Sequence, residues 1–315
     1  GGAATTVYAK PTATTTYSAT STSTTGCTSI GNTTLKIGNT WTGSTSSSWN
    51  TASNWSANAV PTSSDDVLIA SDGSNAPMLD VDVTIPAGKS IIINGAGTLT
   101  IAPGKILTIA GAANFGGRPV IFKSDATGAG MFGSLTGTLT GATNVQVECF
   151  IPARRAFRFV SSPVTTTTTI KQNWQENAGT TAGLGTHITG SGGATNGFDA
   201  TGTNNPSMYT FTNGAWAAVT NTNVNLLTAG TPYRLMVRGD RTTDLTTNTP
   251  TPTATTLRAT GALKTGNFVP TINQTVDGYS LLGNPYQAPI DIKAILLAST
   301  NMNSGVVYYW DPTLN

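Results

Sequence analysis

Residues 84–110 read "TIPAGKSIIINGAGTLTIAPGKILTIA". Thr84, Ile85, Gly88, Lys89 and Ile93 recur as Thr100, Ile101, Gly104, Lys105 and Ile109, each 16 residues on. Short β-branched runs separated by Gly-marked turns at a fixed spacing are the signature of stacked β-rungs. The spacing predicts a coiled, solenoid-like β domain with a 16-residue repeat, and "GSLTGTLTGATNVQVE" continues the pattern downstream.

The rest of the chain supports an all-β reading. Charged residues are 10% of 315, well under the roughly 25% of an ordinary soluble protein. Thr fills about 60 positions and Gly another 35. Thr, Val and Ile suit a pleated, half-buried surface and lose rotamer freedom in a helix. Thr, Ser and Asn therefore take the place that Lys and Glu fill on most surfaces. A helix is expected over "DIKAILLAST", residues 291–300, with Asp291 as its cap and Ile292, Ile295 and Leu296 on one face.

Upstream of the repeat, "TWTGSTSSSWNTASNWS", residues 40–56, holds three of the six Trp among turn-forming residues. Large rings are scarce in this chain, and each buries about 150–250 Å². Trp41, Trp49 and Trp55 are expected to cap the open end of the β core, with Ser and Asn spacers folding the rings back onto it. Before them, "TTTYSATSTS" and "TTLKI" alternate around a Thr-Gly-Cys turn. Two or three strands of this kind make no domain by themselves. The expected units are an incomplete Ig-like β unit or donor segment over 1–38, a Trp-rich β domain over 39–145, and a β-sandwich or jelly roll over 146–315. The chain begins without Met or a signal pattern and reads as a mature product or a fragment.

Net charge is +2 with scattered basic residues. That gives no footprint for nucleic acid, and no apolar run approaches the ~20 residues of a membrane span. Catalytic signals are sparse. There is a single His, His187, read as a surface or turn residue, and no G-x-S-x-G elbow, so a nucleophile with its base is not expected. Cys27 and Cys149 are read as two buried thiols in separate segments. Asp65, Asp66, Asp80 and Asp82 could supply oxygen ligands for Ca²⁺, Asp80 and Asp82 sharing one face of a strand; the alternative is turn chemistry, and no other cofactor is expected. Arg238-Gly239-Asp240 reads as a turn carrying an Arg–Asp pair, and Arg154, Arg155 and Arg158 as a cluster packed on a neighbouring unit. Trp174, Trp216 and Tyr233 are candidate glycan contacts. None of the twelve Asp is followed by Ser or Thr.

Three stretches carry a family resemblance. Pro11, Thr14, Thr15, Tyr17, Gly26, Cys27 and Leu35 to Ile37 resemble the end of the Ig-like or PKD-like repeats of long Bacteroidota surface proteins. Trp41, Gly43, Trp49, Asn54, Trp55, Pro61, Asp66 and Val67 resemble the start of a domain common in exported Bacteroidota proteins. Arg155, Arg158, Ser161, Ser162, Pro163, Gly283, Asn284, Pro285, Ile290, Trp310 and Asp311 resemble the region before the secretion signal of proteins exported by the type IX route. The resemblance implies a non-catalytic extracellular adhesin or filament subunit. Its partners would be copies of itself or upstream repeats, joined by strand pairing through Val7, Tyr8, Tyr17, Leu35 and Ile37, and surface glycans. The other reading of the residues is a carbohydrate-binding accessory region of an exported polysaccharide-degrading enzyme.

Overall fold

The computed structural model describes residues 15–35, 38–247, 249–273, 275, 278–300 and 306–312. Val7, Tyr8 and Ile37 lie outside the described residues. The molecule is nearly all β, with 34% strand and 6% helix, and its centre is a β-solenoid of about 5 turns.

β1 (Thr15–Thr22) and β2 (Thr28–Leu35) form an antiparallel hairpin, paired from Thr15↔Leu35 to Thr22↔Thr28. Gly26 turns the chain at φ 87, a conformation open to Gly without steric cost. Side chains from Thr16 to Asn32 are exposed apart from the half-buried Tyr17. The hairpin is a sheet of its own and neither outer edge pairs with another described strand.

The coil begins at β3 (Asn39–Thr40). One turn is β4 (Val67–Ile69), β5 (Met78–Leu79) and β6 (Val83–Ile85). The next is β7 (Ser90–Ile93), β8 (Leu99–Ile101) and β9 (Ile106–Ile109). The third is β10 (Ala112–Asn114), β11 (Val120–Phe122) and, after a small hairpin of β12 (Ser124–Asp125) and β13 (Gly128–Ala129), β14 (Met131–Leu135). β15 (Thr138–Thr140) and β16 (Val145–Ile151) open a fourth. Strands stack in three parallel sheets, β3–β4–β7–β10–β15, β5–β8–β11–β16 and β6–β9–β14. Each short strand turns one or two apolar side chains inward. Ile69, Leu79, Ile91, Ile93, Ile101 and Ile109 are 0% exposed. Dry columns of this kind supply the burial that a single rung lacks.

The 16-residue repeat is not the pitch of the coil. Val67 stacks on Ile91, and Ile91 on Ala113, so a turn takes about 24 residues. The first copy, Thr84 to Asn94, crosses the corner from β6 to β7. The second, Thr100 to Ala110, crosses the corner from β8 to β9. The shift of 16 is two sides of a three-sided turn. What recurs is the corner, and its Gly is fixed by backbone: Gly88 and Gly104 have φ 78 and 70, which cost an L side chain about 1–2 kcal/mol.

Asp residues tie the first full turn to the second at the corners. The Asp66 carboxylate accepts the Ser90 N–H at 2.8 Å, Asp72 accepts the Thr98 N–H at 2.7 Å, and Asp82 accepts the Ile106 N–H at 2.9 Å. Each carboxylate serves a residue 24 or 26 positions later, so each bond closes one turn.

β16 is longer than the rungs. It pairs in parallel with β11 on one side; on the other, a later strand runs antiparallel to it. After β16 come β17 (Ala156–Val160), β18 (Val164–Thr166), β19 (Met208–Thr212), β20 (Ala215–Ala218), β21 (Tyr233–Val237) and β22 (Thr255–Leu263), then α1 (Ile292–Ala298). β22 is the antiparallel partner, matched from Val145↔Gly261 to Ile151↔Thr255, and β18 lies beyond it. The expected boundary at 145/146 thus falls inside β16, because one sheet serves both halves. The second layer is an antiparallel sheet, β17–β21–β19–β20. Its inward residues Tyr233, Leu235 and Val237 are buried, and Trp174 meets Tyr233 edge to face at 5.6 Å. α1 has its cap at Asp291, whose Oδ1 accepts the Ala294 N–H at 3.0 Å. Its expected apolar face is not covered: Leu296 is buried, while Ile292 and Ile295 are exposed.

Candidate binding face and buried polar network

β17 carries the alternation "AFRFV". Alternation sends Phe157 and Phe159 to one face and Arg158 and Val160 to the other. Pairing then sets Phe159 opposite Arg234 of β21, Arg234 opposite Tyr209 of β19, and Phe211 opposite Trp216 of β20. The outer face of this sheet is therefore aromatic around one cation. Trp216 lies 4.8 Å from Phe211 and 5.9 Å from Phe159, ring centre to ring centre. Trp310 extends the row, 6.2 Å from Phe159, and its Nε1 donates to the Phe157 carbonyl at 2.8 Å. The Arg234 guanidinium sits 3.8 Å above the Phe157 ring and 5.2 Å from that of Trp216. Phe159, Trp216 and Trp310 keep 42%, 40% and 53% of their surface exposed.

Of the candidate glycan contacts, only Trp216 is on this face. Trp174 and Tyr233 are 3% and 5% exposed and belong to the core. Burial pushes the Tyr233 hydroxyl up to about 12. Neither ring can stack on a sugar without opening the sandwich.

Trp41, Trp49 and Trp55 close the first turn of the coil. All three are buried, and Trp55 meets Trp41 at 5.0 Å and Trp49 at 4.6 Å, both edge to face. Trp55 Nε1 donates to the Trp49 carbonyl at 2.8 Å, and Trp41 Nε1 to the Asn75 carbonyl at 2.9 Å. The fully buried Asn54 accepts the N–H groups of Thr45 and Ser46 and donates to the Ser48 carbonyl. Gly43, at φ 57, is forced: a Cβ would lie 2.8 Å from the Trp41 Nε1.

The four proposed calcium ligands are not brought together. Asp65 accepts from Thr62, Asp66 from Ser90, Asp80 from Ser48 and Asn50, and Asp82 from Ile106. Asp80 and Asp82 follow β5 at a corner rather than sharing a strand face. Among the described residues, no group of three or more His, Cys, Asp or Glu side chains could hold a metal ion. These carboxylates satisfy backbone and hydroxyl donors.

His187 is buried, not at the surface, 3.4 Å from Asp199. Asp199 is the hub of the loops between β18 and β19. It pairs with Arg241 Nη1 at 2.6 Å and accepts from Gln175 Nε2 and the Ile188 N–H. Burial pushes the Asp199 carboxyl up, but His187 and Arg241 outweigh it and hold it well below the ordinary carboxylate range. Arg258 and Glu176 form a second pair, through two guanidinium nitrogens. Asp240 is buried and accepts from the Gly183 and Thr242 N–H groups, so its partners are not Arg238. Arg-Gly-Asp is not displayed.

A cavity of about 420 Å³ lies between the two layers, lined by Val147, Cys149, Val160, Trp174 and Leu257, with Ser162 and Tyr286 among its polar groups. Cys149 lines the open side of this cavity and Cys27 lies in the first hairpin turn. Both are exposed and free, so neither is the buried thiol expected, since the strand of one and the turn of the other leave the Sγ side uncovered. The loop containing Asn284 closes the cavity: Ser161 Oγ donates to the Asn284 carbonyl at 2.9 Å, and Gln287 Nε2 to the Gly130 carbonyl at 2.7 Å. Arg158 turns inward toward Cys149, donating to the Pro152 and Arg154 carbonyls. No helix is long and apolar enough to cross a membrane among the described residues.

Residues 40–315, from the cap to the chain end, match a family described as a domain of unknown function, DUF8693, and the chain belongs to it. No curated protein and no solved structure matches the chain.

Proposed function

We propose that this is a non-catalytic structural and adhesive protein of the outer cell surface, a filament subunit or adhesin stalk assembled by β-strand pairing. The residue patterns that resemble Bacteroidota proteins of the type IX route, and the Thr-rich, weakly charged surface, support an extracellular setting. The observation that carries the reading is the β1–β2 hairpin. A two-stranded hairpin is marginal in water, and this one has exposed side chains and no other described strand on either edge. Unpaired edges are templates for another chain. A non-catalytic role is supported by the burial of His187, which does not line the cavity. It is supported too by Glu148, which faces the cavity but is held by Lys123 at 2.9 Å.

The test is assembly of the purified chain with and without residues 1–35, followed by sizing and negative-stain imaging. Ordered multimers from the full chain, lost on deletion, are expected. A full chain that stays monomeric at high concentration, or multimers that survive the deletion, would end this reading. A second reading, a carbohydrate-binding accessory region, is favoured by the half-exposed Trp216.

A further inference from the structure

We propose that the outer face of the β17–β21–β19–β20 sheet binds an acidic polysaccharide, with sugar rings stacked on Trp216, Phe159 and Trp310 and a sugar carboxylate paired with Arg234. It builds on the second reading above and is independent of strand pairing.

The three rings form one row. Phe159 stands between Trp216 and Trp310, with ring centres 5.9 and 6.2 Å apart and planes inclined by only 34° and 38°. These tilted rings, each 40–53% exposed, leave ring area open to a ligand. Ring faces offer a negative quadrupole to C–H groups, and the C–H faces of pyranose rings are polarised to meet it. Several half-exposed rings in a row therefore suit a chain of sugars better than a single small molecule. The row is also held from behind. Phe211 supports Trp216 at 4.8 Å, and the Trp310 indole N–H is anchored to the Phe157 carbonyl. Pre-placed rings lose little freedom when a ligand arrives.

The charge on this face selects the ligand class. Arg234 lies flat on Phe157 and near Trp216, and no carboxylate among the described residues stands within ion-pair distance of it. Elsewhere, Arg258 on β22 and Arg241 in the loop after β21 are each matched by an acid. Arg234 is half-buried and stacked on an aromatic ring, and a guanidinium stacked by its plane still has its fork of N–H donors to offer a carboxylate through two parallel hydrogen bonds. A neutral glycan would leave that cation unmatched; a uronic-acid polymer supplies both the ring faces and the carboxylate.

Affinity electrophoresis of the full chain through gels holding polygalacturonate tests this, with the carboxyl-reduced polymer as the neutral control. Retardation by polygalacturonate is expected, weakened at least tenfold by Trp216→Ala or Phe159→Ala. Arg234→Gln should bring the acidic and neutral polymers to equal, weak retention. No retardation by polygalacturonate overturns the proposal, as does equal binding of both polymers by the unaltered chain. Retention lost with Arg234→Gln but untouched by both ring substitutions means charge alone and also overturns it. So does a concentration-dependent dimer that Trp216→Ala abolishes. If a ring substitution unfolds the chain, acrylamide quenching of the unaltered chain replaces it. Polygalacturonate should then shield the exposed indoles, and unchanged quenching refutes the idea. Failure of filament assembly leaves all of these readings intact, because the measurement uses single molecules.

Discussion

The coil and the sandwich that follows it bury their interiors by different means. In the coil, Leu79, Ile101 and Phe122 stack in one sheet, each 0% exposed, and polar groups are confined to the corners. In the sandwich, the loops between β18 and β19 carry the buried Gln175 and His187 and the half-buried Asp199, and the loop after β21 brings the buried Arg241 to them. The coil is held by additive apolar contacts repeated turn after turn. The loops are held by one carboxylate that several donors share. A truncation in the first forfeits one side chain's contacts and its cavity, whereas loss of the one carboxylate in the second strands a buried charge and several donors at once.

The largest effect expected is from Asp199→Ala, which leaves Arg241 buried without a counter-charge. Urea denaturation should show a loss of about 3–5 kcal/mol, and Asp199→Asn should recover little of it. A loss below about 1 kcal/mol would break the contrast. Trp49→Ala should cost a comparable ~3–5 kcal/mol, because the end of the coil has no second layer of rings behind the cap. By the same measure an interior truncation such as Ile101→Ala should cost ~2–5 kcal/mol.

Acid should separate the halves further. The Asp199 carboxyl lies below its ordinary value of 3.8 in the folded chain. A depressed value stabilises fully above the unfolded value and is lost as pH falls toward the folded one. Stability of the parent should therefore drop steeply below about pH 4, and the drop should flatten in Asp199→Asn. An identical acid profile for both would remove Asp199 from its central place. Smaller again is Gly104→Ala, at about 1–2 kcal/mol from its positive φ. Least of all, Trp216→Ala should cost about 0.5–1.5 kcal/mol for the Phe211 contact it loses, small enough to keep the fold while binding is probed.

The same contrast explains what could be read beforehand. Regular apolar alternation in "KSIIIN" and "KILTIA" makes the rungs legible, since each strand needs only inward Ile and Leu at a spacing of two. The pitch is hidden because corners resemble one another more than whole turns do. Trp174 stands between Asn173 and Gln175 yet is buried, while Trp216 stands between two Ala yet is half-exposed; their fates depend on which sheet face each strand or loop meets. The pair Phe157 and Phe159 in "AFRFV" already marked an aromatic strand face. That Arg234 and Trp216 would join them depends on β21 pairing with β17 and β20 with β19, and Arg234 stands opposite Phe159, 75 positions earlier (234 − 159). Asp199 in "GFDAT" has no local feature that distinguishes it from an acid in a turn.

Asp66, Asp72 and Asp82 bind the first full turn to the second, whereas the second turn has no Asp of its own and carries the next by its apolar columns. Duplicating that turn, residues 87–110, would insert a new layer stacked on Ile and Leu alone. The rod would lengthen by one strand spacing, about 4.8 Å, while the tryptophan seal and the aromatic face stay as they are. The distance between the two ends of the solenoid is thus a dimension that relatives can change in discrete steps, like links added to a chain.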